Sequence, residues 1–337
     1  MTFPKRWALS VPLESISLGD HARAAQELED LGYNDAWSYE IDGTDCFTPL
    51  AVVAQATNMR IGTAIANVCT RGPATLAQSA LALAEVAPGR FVLGIGSGSQ
   101  PIVEMWNGGH FDKPVTRVRE MVGFLRQALA GERVVFEGKT FSVNGFRLSR
   151  PVPAPVPIYV GALREGMLRV AGETADGVII NWLSAEDVKK SVAVVREAAT
   201  AAGRNPDEIE ITARIMVNID PPGEAGDLAM RRYMNNYLHV PVYAAFHRWL
   251  GRTEALTPMW EAWKAGDRRA AVSGIPQQTV DELVVHGSAE ERVAHIRRYL
   301  DAGVDTVSLL LNTAETDPEK RAALVMQEMR AMAPANH

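Results

Sequence analysis

The sequence predicts an α/β protein built as a (β/α)8 TIM barrel with insertions after strands four and seven. Short apolar runs alternate with longer segments of helical period, and the alternation repeats eight times in 337 residues. Such alternation implies a parallel sheet with right-handed crossovers. An open doubly wound sheet is the alternative, but it usually has fewer strands and a glycine fingerprint at its first turn. The first turn here has the sequence PLESIS, without that fingerprint.

The eight predicted strands are short apolar runs, most of them rich in branched or aromatic side chains. In chain order they cover residues 7–13, 35–40, 60–67, 91–97, 158–163, 177–183, 209–219 and 304–311.

The predicted helices follow the strands and are bounded by start and stop signals. In chain order they cover residues 18–31, 47–58, 73–86, 116–130, 164–174, 185–202, 288–302 and 318–332. Pro73 suits a helix start, and Gly32, Gly131 and Gly203 follow helix ends. Ser288 is expected to be the N-cap of the seventh helix.

Three segments interrupt this rhythm within what we expect to be one domain, residues 1–337. Residues 132–150 predict a small β excursion with turn signals at Glu137-Gly138 and Asn144-Gly145. Residues 98–115 and 220–280 follow strands four and seven, on the rim where barrel enzymes carry their active sites. Long loops on that face are usually lids or binding loops, so residues 220–280 are interpreted as a lid.

Composition excludes several classes of function. The formal net charge of −6 offers no basic face for nucleic acid. Cys46 and Cys69 lack metal-ligand spacing, which favours a reducing, cytoplasmic setting without a metal. No apolar run approaches the ~20 residues of a membrane span, and the N-terminus does not resemble a signal peptide. The histidines do not cluster; they are His21, His110, His239, His247, His286, His295 and His337.

Two strand ends suggest ligand binding. In residues 94–99, GIGSGS, the spacing is wrong for a Walker loop, and no helix is predicted directly behind it. After Gly161 a helix begins within a few residues, so the backbone N–H groups of residues 163–167 form an anion site suited to phosphate. Residues 230–250 are rich in Met, Tyr, His and Trp, which suits a flat aromatic cofactor or substrate.

Four stretches carry a family resemblance: DAWSYEIDGTDCFTPLAVVAQAT (35–57), RIGTAIANVCTRGPATLAQSALALAEVAPGRFVLGIGSGS (60–99), EMWNGGHFDKPVTRVREMVGFLRQALAGE (104–132) and PIYVGALREGMLRVAGETADGVIIN (157–181). In this order they resemble the luciferase-like monooxygenase superfamily of flavin and deazaflavin enzymes. The details are most similar to the branch that uses coenzyme F420, a deazaflavin hydride carrier. That branch folds as a (β/α)8 barrel.

The resemblance implies a cofactor site residue by residue. Glu40 matches an acidic residue that contacts the cofactor, and Asn67 matches a polar residue that bonds the ring edge. Ala64-Ile65 matches a bulge with a cis non-proline peptide beneath the ring. The remaining implied contacts lie near the ring or hold the phosphate; they are Gly96, Ser97, Gly98, Ser99, Gly161, Ala162, Leu163, Arg164, Gly166 and Met167.

Two departures separate this chain from the sugar-phosphate dehydrogenases of that branch. Ile41 stands where they have a histidine, and Ser99 stands where they have a glutamate. The acid/base pair of that reaction is absent, so that activity is not predicted. The remaining candidates for a catalytic proton donor are Glu40, His110, His239 and Tyr243.

The sequence therefore predicts an oxidoreductase that moves a hydride between F420 and an organic carbonyl, imine or activated C=C bond. The apolar and aromatic rim predicts a small-molecule substrate that is uncharged or partly polar. An FMN-dependent monooxygenase and a non-catalytic flavin- or deazaflavin-binding protein are the alternatives. A homodimer is expected through the helices around strands two and three, as in many barrels of this family.

Overall fold

Eight parallel strands close into a barrel in the computed structural model, which describes residues 3–221 and 223–337. Each strand pairs with the next one along the chain, and the eighth pairs with the first. The barrel predicted from the strand–helix alternation is confirmed. Its strands are β1 (Arg6–Val11), β2 (Asp35–Ser38), β3 (Arg60–Thr63, continued at Ala66–Asn67), β4 (Phe91–Gly96), β5 (Ile158–Gly161), β6 (Gly177–Asn181), β7 (Glu210–Asn218) and β8 (Thr306–Asn312).

Helices surround the barrel, and their apolar faces form one continuous core with the outward side chains of the strands. Ser288 caps its helix as predicted, in a capping box with Glu291. The helices of the repeating units are α1 (His21–Asp30), α2 (Thr48–Ala56), α3 (Pro73–Val86), α4 (Pro114–Leu129), α5 (Glu165–Thr174), α6 (Ala185–Ala201), α12 (Ala289–Asp301) and α13 (Pro318–Ala331).

The region between β7 and α12 is helical and adds a short strand, Val284–Val285, that pairs with β7. The helices of this region pack around an apolar cluster that also includes residues of β7 and β8. Sequence patterning missed the two-residue strand because so short a run carries no period. The helices are α7 (Glu224–Leu238), α8 (Pro241–Trp249), α9 (Thr253–Lys264), α10 (Arg268–Ser273) and α11 (Gln277–Leu283).

Two details differ from the sequence predictions. The excursion at 132–150 is an antiparallel hairpin of Val134–Glu137 and Ser142–Phe146, and its turn follows Glu137. Asn144-Gly145 was expected to be a turn but lies inside the second strand, where Gly145 has φ +76° beside a register shift. A π-helix, Pro101–Trp106, also opens soon after the GIGSGS segment, where no helix was predicted.

Charged side chains fill the amino-terminal end of the barrel interior. The Arg60 guanidinium lies 2.6 Å from Asp35 and 2.7 Å from Glu210. Tyr159 donates its hydroxyl to Glu210 at 2.5 Å, and the Trp37 ring packs over Gly62 above this layer. This end is therefore a packed floor, which leaves the carboxyl end of the strands as the open mouth. In the part of the chain that is described, no helix is both long and apolar enough to cross a membrane.

Candidate active site at the mouth of the barrel

The break in β3 brings Ile65 into the mouth of the barrel. The Ala64–Ile65 peptide bond is cis, as the resemblance implies. A Cβ atom at Gly96 would lie 2.9 Å from Ile65 Cγ1, and one at Gly161 would lie 2.8 Å from Ile65 Cγ2. Any side chain at either glycine would collide with Ile65. Gly96 and Gly161 thus leave space for Ile65, which forms an apolar surface beside the ends of β4 and β5.

Asn67 presents an unpaired amide at this surface. Its side chain is buried, and its Oδ1 accepts the N–H of Cys69 at 2.8 Å. Its Nδ2 is buried and has no hydrogen-bond partner among the described residues. A Cβ atom at Gly98, where φ is +65°, would lie only 2.3 Å from that nitrogen. A buried donor left unpaired costs about 1–3 kcal/mol, so the amide favours a ligand that supplies an acceptor.

Glu40 is held by an arginine that the sequence analysis did not single out. Arg71 bonds both carboxylate oxygens of Glu40, with Nε 3.1 Å from each. Glu40 Oε2 also accepts the backbone N–H of Asn67 at 3.3 Å. The hydrogen bond to Glu40 raises the pKa of Arg71, despite the opposing effect of burial. A carboxylate at one strand end and an arginine after the next strand are a signal that could have identified this pair.

The start of α5 carries backbone N–H groups that face solvent. Arg164 adopts an extended conformation as the N-cap residue and makes no side-chain cap bond. Within the described chain, the amide groups of Leu163, Arg164 and Gly166 have no hydrogen-bond acceptor. Arg164 and Gly166 are exposed, so this end of the helix is open to an anion.

Two other predicted contacts, Ala162 and Met167, have backbone N–H groups that are already paired. For Met167 this corrects the expectation of free N–H groups throughout residues 163–167. Ala162 donates to the carbonyl of Ile179 at 2.9 Å, as part of the β5–β6 ladder. Met167 donates to the carbonyl of Arg164 at 3.0 Å because the first turn of the helix closes tightly. Neither backbone N–H is available to a phosphate.

Aromatic side chains form the opposite side of the mouth. The Trp182 ring centre lies 4.6 Å from that of Tyr237 and 6.5 Å from that of Tyr243. Tyr233 packs against both Trp182 and Tyr237. Trp182 follows β6, whereas the three tyrosines come from α7 and α8. These four residues, the aromatic wall, tie the helices after β7 to the barrel.

Tyr243 is the member of this wall that the sequence analysis named as a proton donor. Burial raises its pKa to about 12, and the neighbouring Tyr237 acts in the same direction. The Asn181 side chain acts in the opposite direction. Tyr243 therefore keeps its proton at neutral pH and can donate it to a bound group.

Arg214 lies inside the mouth, and none of the described residues forms an ion pair with it. On β7 it stands opposite Asn181, the last residue of β6. Its guanidinium carbon lies 4.0 Å from the centre of the Tyr39 ring. Its Nη2 is buried, and no described residue accepts a hydrogen bond from it. Because Arg214 belongs to the seventh predicted strand, the sequence places it among the residues expected at the active-site rim, but it indicates no specific chemical role for it.

The two histidines named as proton donors lie in the segments that follow β4 and β7. His110 is exposed in the loop after the π-helix. His239 follows α7, bonds the Asn235 carbonyl through Nδ1 at 2.5 Å, and stacks on Trp263 at 3.7 Å. His239 is thus engaged within the helical region after β7. Over residues 3–221 and 223–337, no group of three or more His, Cys, Asp or Glu side chains is arranged to hold a metal.

Comparisons with known proteins agree with this fold. The family model described as luciferase-like monooxygenase matches residues 2–306. A 5,10-methylenetetrahydromethanopterin reductase of Methanolobus tindarius is 29% identical over 310 residues, covering 91% of this chain and 93% of the relative. An F420-dependent glucose-6-phosphate dehydrogenase of Kineococcus radiotolerans is 26% identical over 335 residues, covering 91% of this chain and 97% of the relative.

A solved structure extends the likeness to three dimensions. The coenzyme F420-dependent tetrahydromethanopterin reductase of Methanopyrus kandleri superposes on this chain with a TM-score of 0.76 at 25% sequence identity. The superposition covers 96% of this chain and 98% of the reductase chain. The chain belongs to the luciferase-like monooxygenase family. F420-dependent oxidoreductases are among its relatives, as the sequence predicts.

Proposed function

We propose that this enzyme is an F420-dependent oxidoreductase that transfers a hydride between the deazaflavin and an organic carbonyl, imine or activated C=C bond. The cofactor named for its relatives supports the proposal. The single observation that carries it is the buried, unpartnered Nδ2 of Asn67 beside Gly98. That donor lies at the mouth near an apolar surface, Ile65, and fits the polar edge of a flat heterocycle.

Specific residues would hold the cofactor. The ring would rest against Ile65, Asn67 Nδ2 would donate to its edge, and Glu40 with Arg71 would fix the backbone of Asn67. The unpaired N–H groups at the start of α5 would hold the phosphate. When bound, F420 supplies the carbon that gives or accepts the hydride, while the protein supplies orientation and exclusion of water.

Tyr243 is the proton donor that we propose for the reductive direction. Both carboxylate oxygens of Glu40 accept hydrogen bonds from Arg71, so Glu40 is engaged in that pair. Tyr243 retains its proton, since burial raises its pKa to about 12, and its ring forms part of the aromatic wall. Its hydroxyl would give its proton to the substrate atom that becomes basic as carbon accepts the hydride, and solvent would restore that proton.

Sugar-phosphate dehydrogenation is not proposed, although one relative carries that name. Ile41 and Ser99 cannot act as the acid and base that the resemblance associates with that reaction. A carbonyl, imine or enone acceptor needs only one proton, which Tyr243 can provide.

The test is turnover with defined cofactors. Purified enzyme is mixed with chemically reduced F420 and a panel of ketones, imines and enones, and the return of oxidised F420 is followed by absorbance. We expect substrate-dependent oxidation that persists without oxygen and is lost in Tyr243→Phe. Tyr33→Phe is the matched control, because Tyr33 is a buried tyrosine outside the mouth whose hydroxyl bonds the Met329 carbonyl, and this variant should retain activity. Oxidation supported only by reduced FMN with oxygen would instead identify a monooxygenase, and binding of F420 without turnover of any acceptor would contradict an enzymatic role.

A further inference from the structure

We propose that Arg214 binds a carboxylate group of the substrate. The assignment of that carboxylate to the substrate rests on the proposed function, whereas the anion site itself can be measured by binding alone. The proposal also changes the expectation, drawn from the aromatic rim, that the substrate is uncharged or only partly polar.

The interior charges of the barrel are paired at one end and unpaired at the other. In the floor, Arg60 faces both Asp35 and Glu210 at 2.6 and 2.7 Å. Arg214, further along β7 toward the mouth, makes no hydrogen bond to any described residue and has no described carboxylate within 4.0 Å. The same strand thus carries a paired carboxylate below and, above it, an arginine that forms no ion pair with any described residue, although the carboxylates of Glu14 and Asp42 also act on its neighbour Tyr39.

The surroundings of Arg214 make an unpaired charge unfavourable. Its Nη2 is buried, and its guanidinium stacks on Tyr39 at 4.0 Å. The ring face attracts the cation but accepts no in-plane hydrogen bond, so the Nη2 donors remain unsatisfied. Arg214 is half-buried as a whole, but buried donors in proteins are normally paired, and a ligand that brings the opposite charge to the mouth would satisfy its buried Nη2.

The shape of the donor set favours a carboxylate over a phosphate. Arg214 offers a planar fork that matches a two-oxygen anion. The side chains recorded around Arg214 are aromatic, amide or hydroxyl groups: Tyr39, Asn181, Tyr233, Tyr243 and Ser308. They supply no second cation for a dianion. The open amides that suit a phosphate lie at the start of α5, which follows β5. They therefore belong to a different strand end from Arg214, which lies on β7.

The substrate class that follows is an organic acid whose reducible C=O, C=N or C=C bond lies near a carboxylate and an apolar or aromatic body. The carboxylate would bind Arg214, and the body would lie along the aromatic wall. This arrangement would place the reducible bond between that wall and the Ile65 surface.

The test compares two probes of the same shape, trans-cinnamate and cinnamamide, by isothermal titration calorimetry with the full chain. We expect the wild-type protein to bind cinnamate at least about tenfold more tightly, a difference that one charge-assisted contact can supply. Arg214→Gln should reduce the ratio of the two affinities to near one. Arg248→Gln is the matched control because Arg248 also stacks on an aromatic ring, Trp260 at 4.2 Å, but is exposed outside the wall.

Equal affinities in the wild-type protein, absence of binding by both probes, or a preference retained in Arg214→Gln would each overturn the proposal. Should Arg214→Gln fail to fold, the wild-type comparison still decides, and Arg214→Lys provides a second variant with an intermediate ratio expected. F420 is titrated in parallel. If the wild-type protein does not bind F420 but still prefers cinnamate to cinnamamide, the proposed function is rejected and the anion site at Arg214 is retained.

Discussion

Glu40 and Arg71 join the ends of two neighbouring barrel strands through a two-oxygen ion pair at the mouth. Glu40 follows β2, Arg71 follows β3, and the Glu40 carboxylate also accepts the backbone N–H of Asn67 at 3.3 Å. Both side chains of the pair are only about one fifth exposed, at 19% and 20%. The pair therefore positions the residue whose unpaired amide marks the proposed cofactor site.

A double-mutant cycle on this pair should give measurable coupling. Glu40→Gln, Arg71→Gln and the double variant are compared by urea unfolding, and we expect a coupling free energy of about 1 kcal/mol or more because the pair is partly shielded from water. The same cycle on Asp20 and Arg23, whose side chains are 56% and 84% exposed, is the control and should show almost none. Equal coupling in both cycles would refute a special role for the Glu40 pair.

Gly98 provides a test of the Asn67 site. In Gly98→Ala the new methyl group would lie 2.3 Å from Asn67 Nδ2, so the amide must move and F420 affinity should fall at least about tenfold. Gly108→Ala is the matched control because Gly108 has nearly the same φ, +62°, with nothing within 4 Å of the added Cβ. Both variants should lose some stability from the positive φ. An equal loss of F420 affinity in both would show that strain, not the Asn67 contact, is responsible.

Arg60 should control stability rather than ligand binding. Arg60→Gln leaves the buried carboxylates of Asp35 and Glu210 without their shared cation, and we expect the free energy of unfolding to fall by about 3–5 kcal/mol. Folded protein should still bind F420 with unchanged affinity, because the floor and the mouth lie at opposite ends of the barrel. A loss below about 1 kcal/mol in urea unfolding would contradict this account of the floor.

Acid should destabilise the protein through His247. This side chain is fully buried, and no described residue pairs with either ring nitrogen. Burial lowers its pKa to about 3, with Arg252 acting in the same direction. The unfolded chain therefore takes up the proton first as the pH falls below about 6.5, and by pH 5 this costs about 2 kcal/mol of stability.

Urea unfolding of the wild-type protein and His247→Leu at pH 7 and pH 5 checks this pH dependence. The variant should lose less stability than the wild type between the two values. A second buried contribution remains in the variant, since burial also lowers the pKa of His295 to about 4. An identical loss in both proteins would rule out His247 as a source of the acid sensitivity.

The sequence predicts the barrel well because its signals are local. Apolar runs, Pro73 at a helix start and the Ser288 capping box each fix an element from neighbouring residues alone. The Asn144-Gly145 dipeptide misled the hairpin prediction because the same residues that favour a turn also suit a bulge within a strand. The sequence did not predict the π-helix after GIGSGS, because the hydrogen bonding of a π-helix has no simple sequence period.

The candidate site is harder to predict from the sequence because its decisive features depend on pairing across the fold. The resemblance indicated Asn67, but only coordinates show that its Nδ2 is left without a partner. Arg60 and Arg214 are both arginines on strands, yet Arg60 pairs with Asp35, whereas the Nη2 of Arg214 has no partner within the described part of the chain. Backbone pairing likewise decides which amides near α5 remain open, and Ala162 and Met167 are excluded on that ground.

The most direct test of the central claim is an equilibrium titration of oxidised F420 and of FMN into the wild-type protein and into Asn67→Ala, followed by the change in cofactor fluorescence. We expect F420 to bind at least about tenfold more tightly than FMN, and Asn67→Ala to weaken F420 binding by a similar factor through loss of one hydrogen bond. Binding of neither cofactor, or F420 affinity that is the same in Asn67→Ala as in the wild type, would contradict the proposed site.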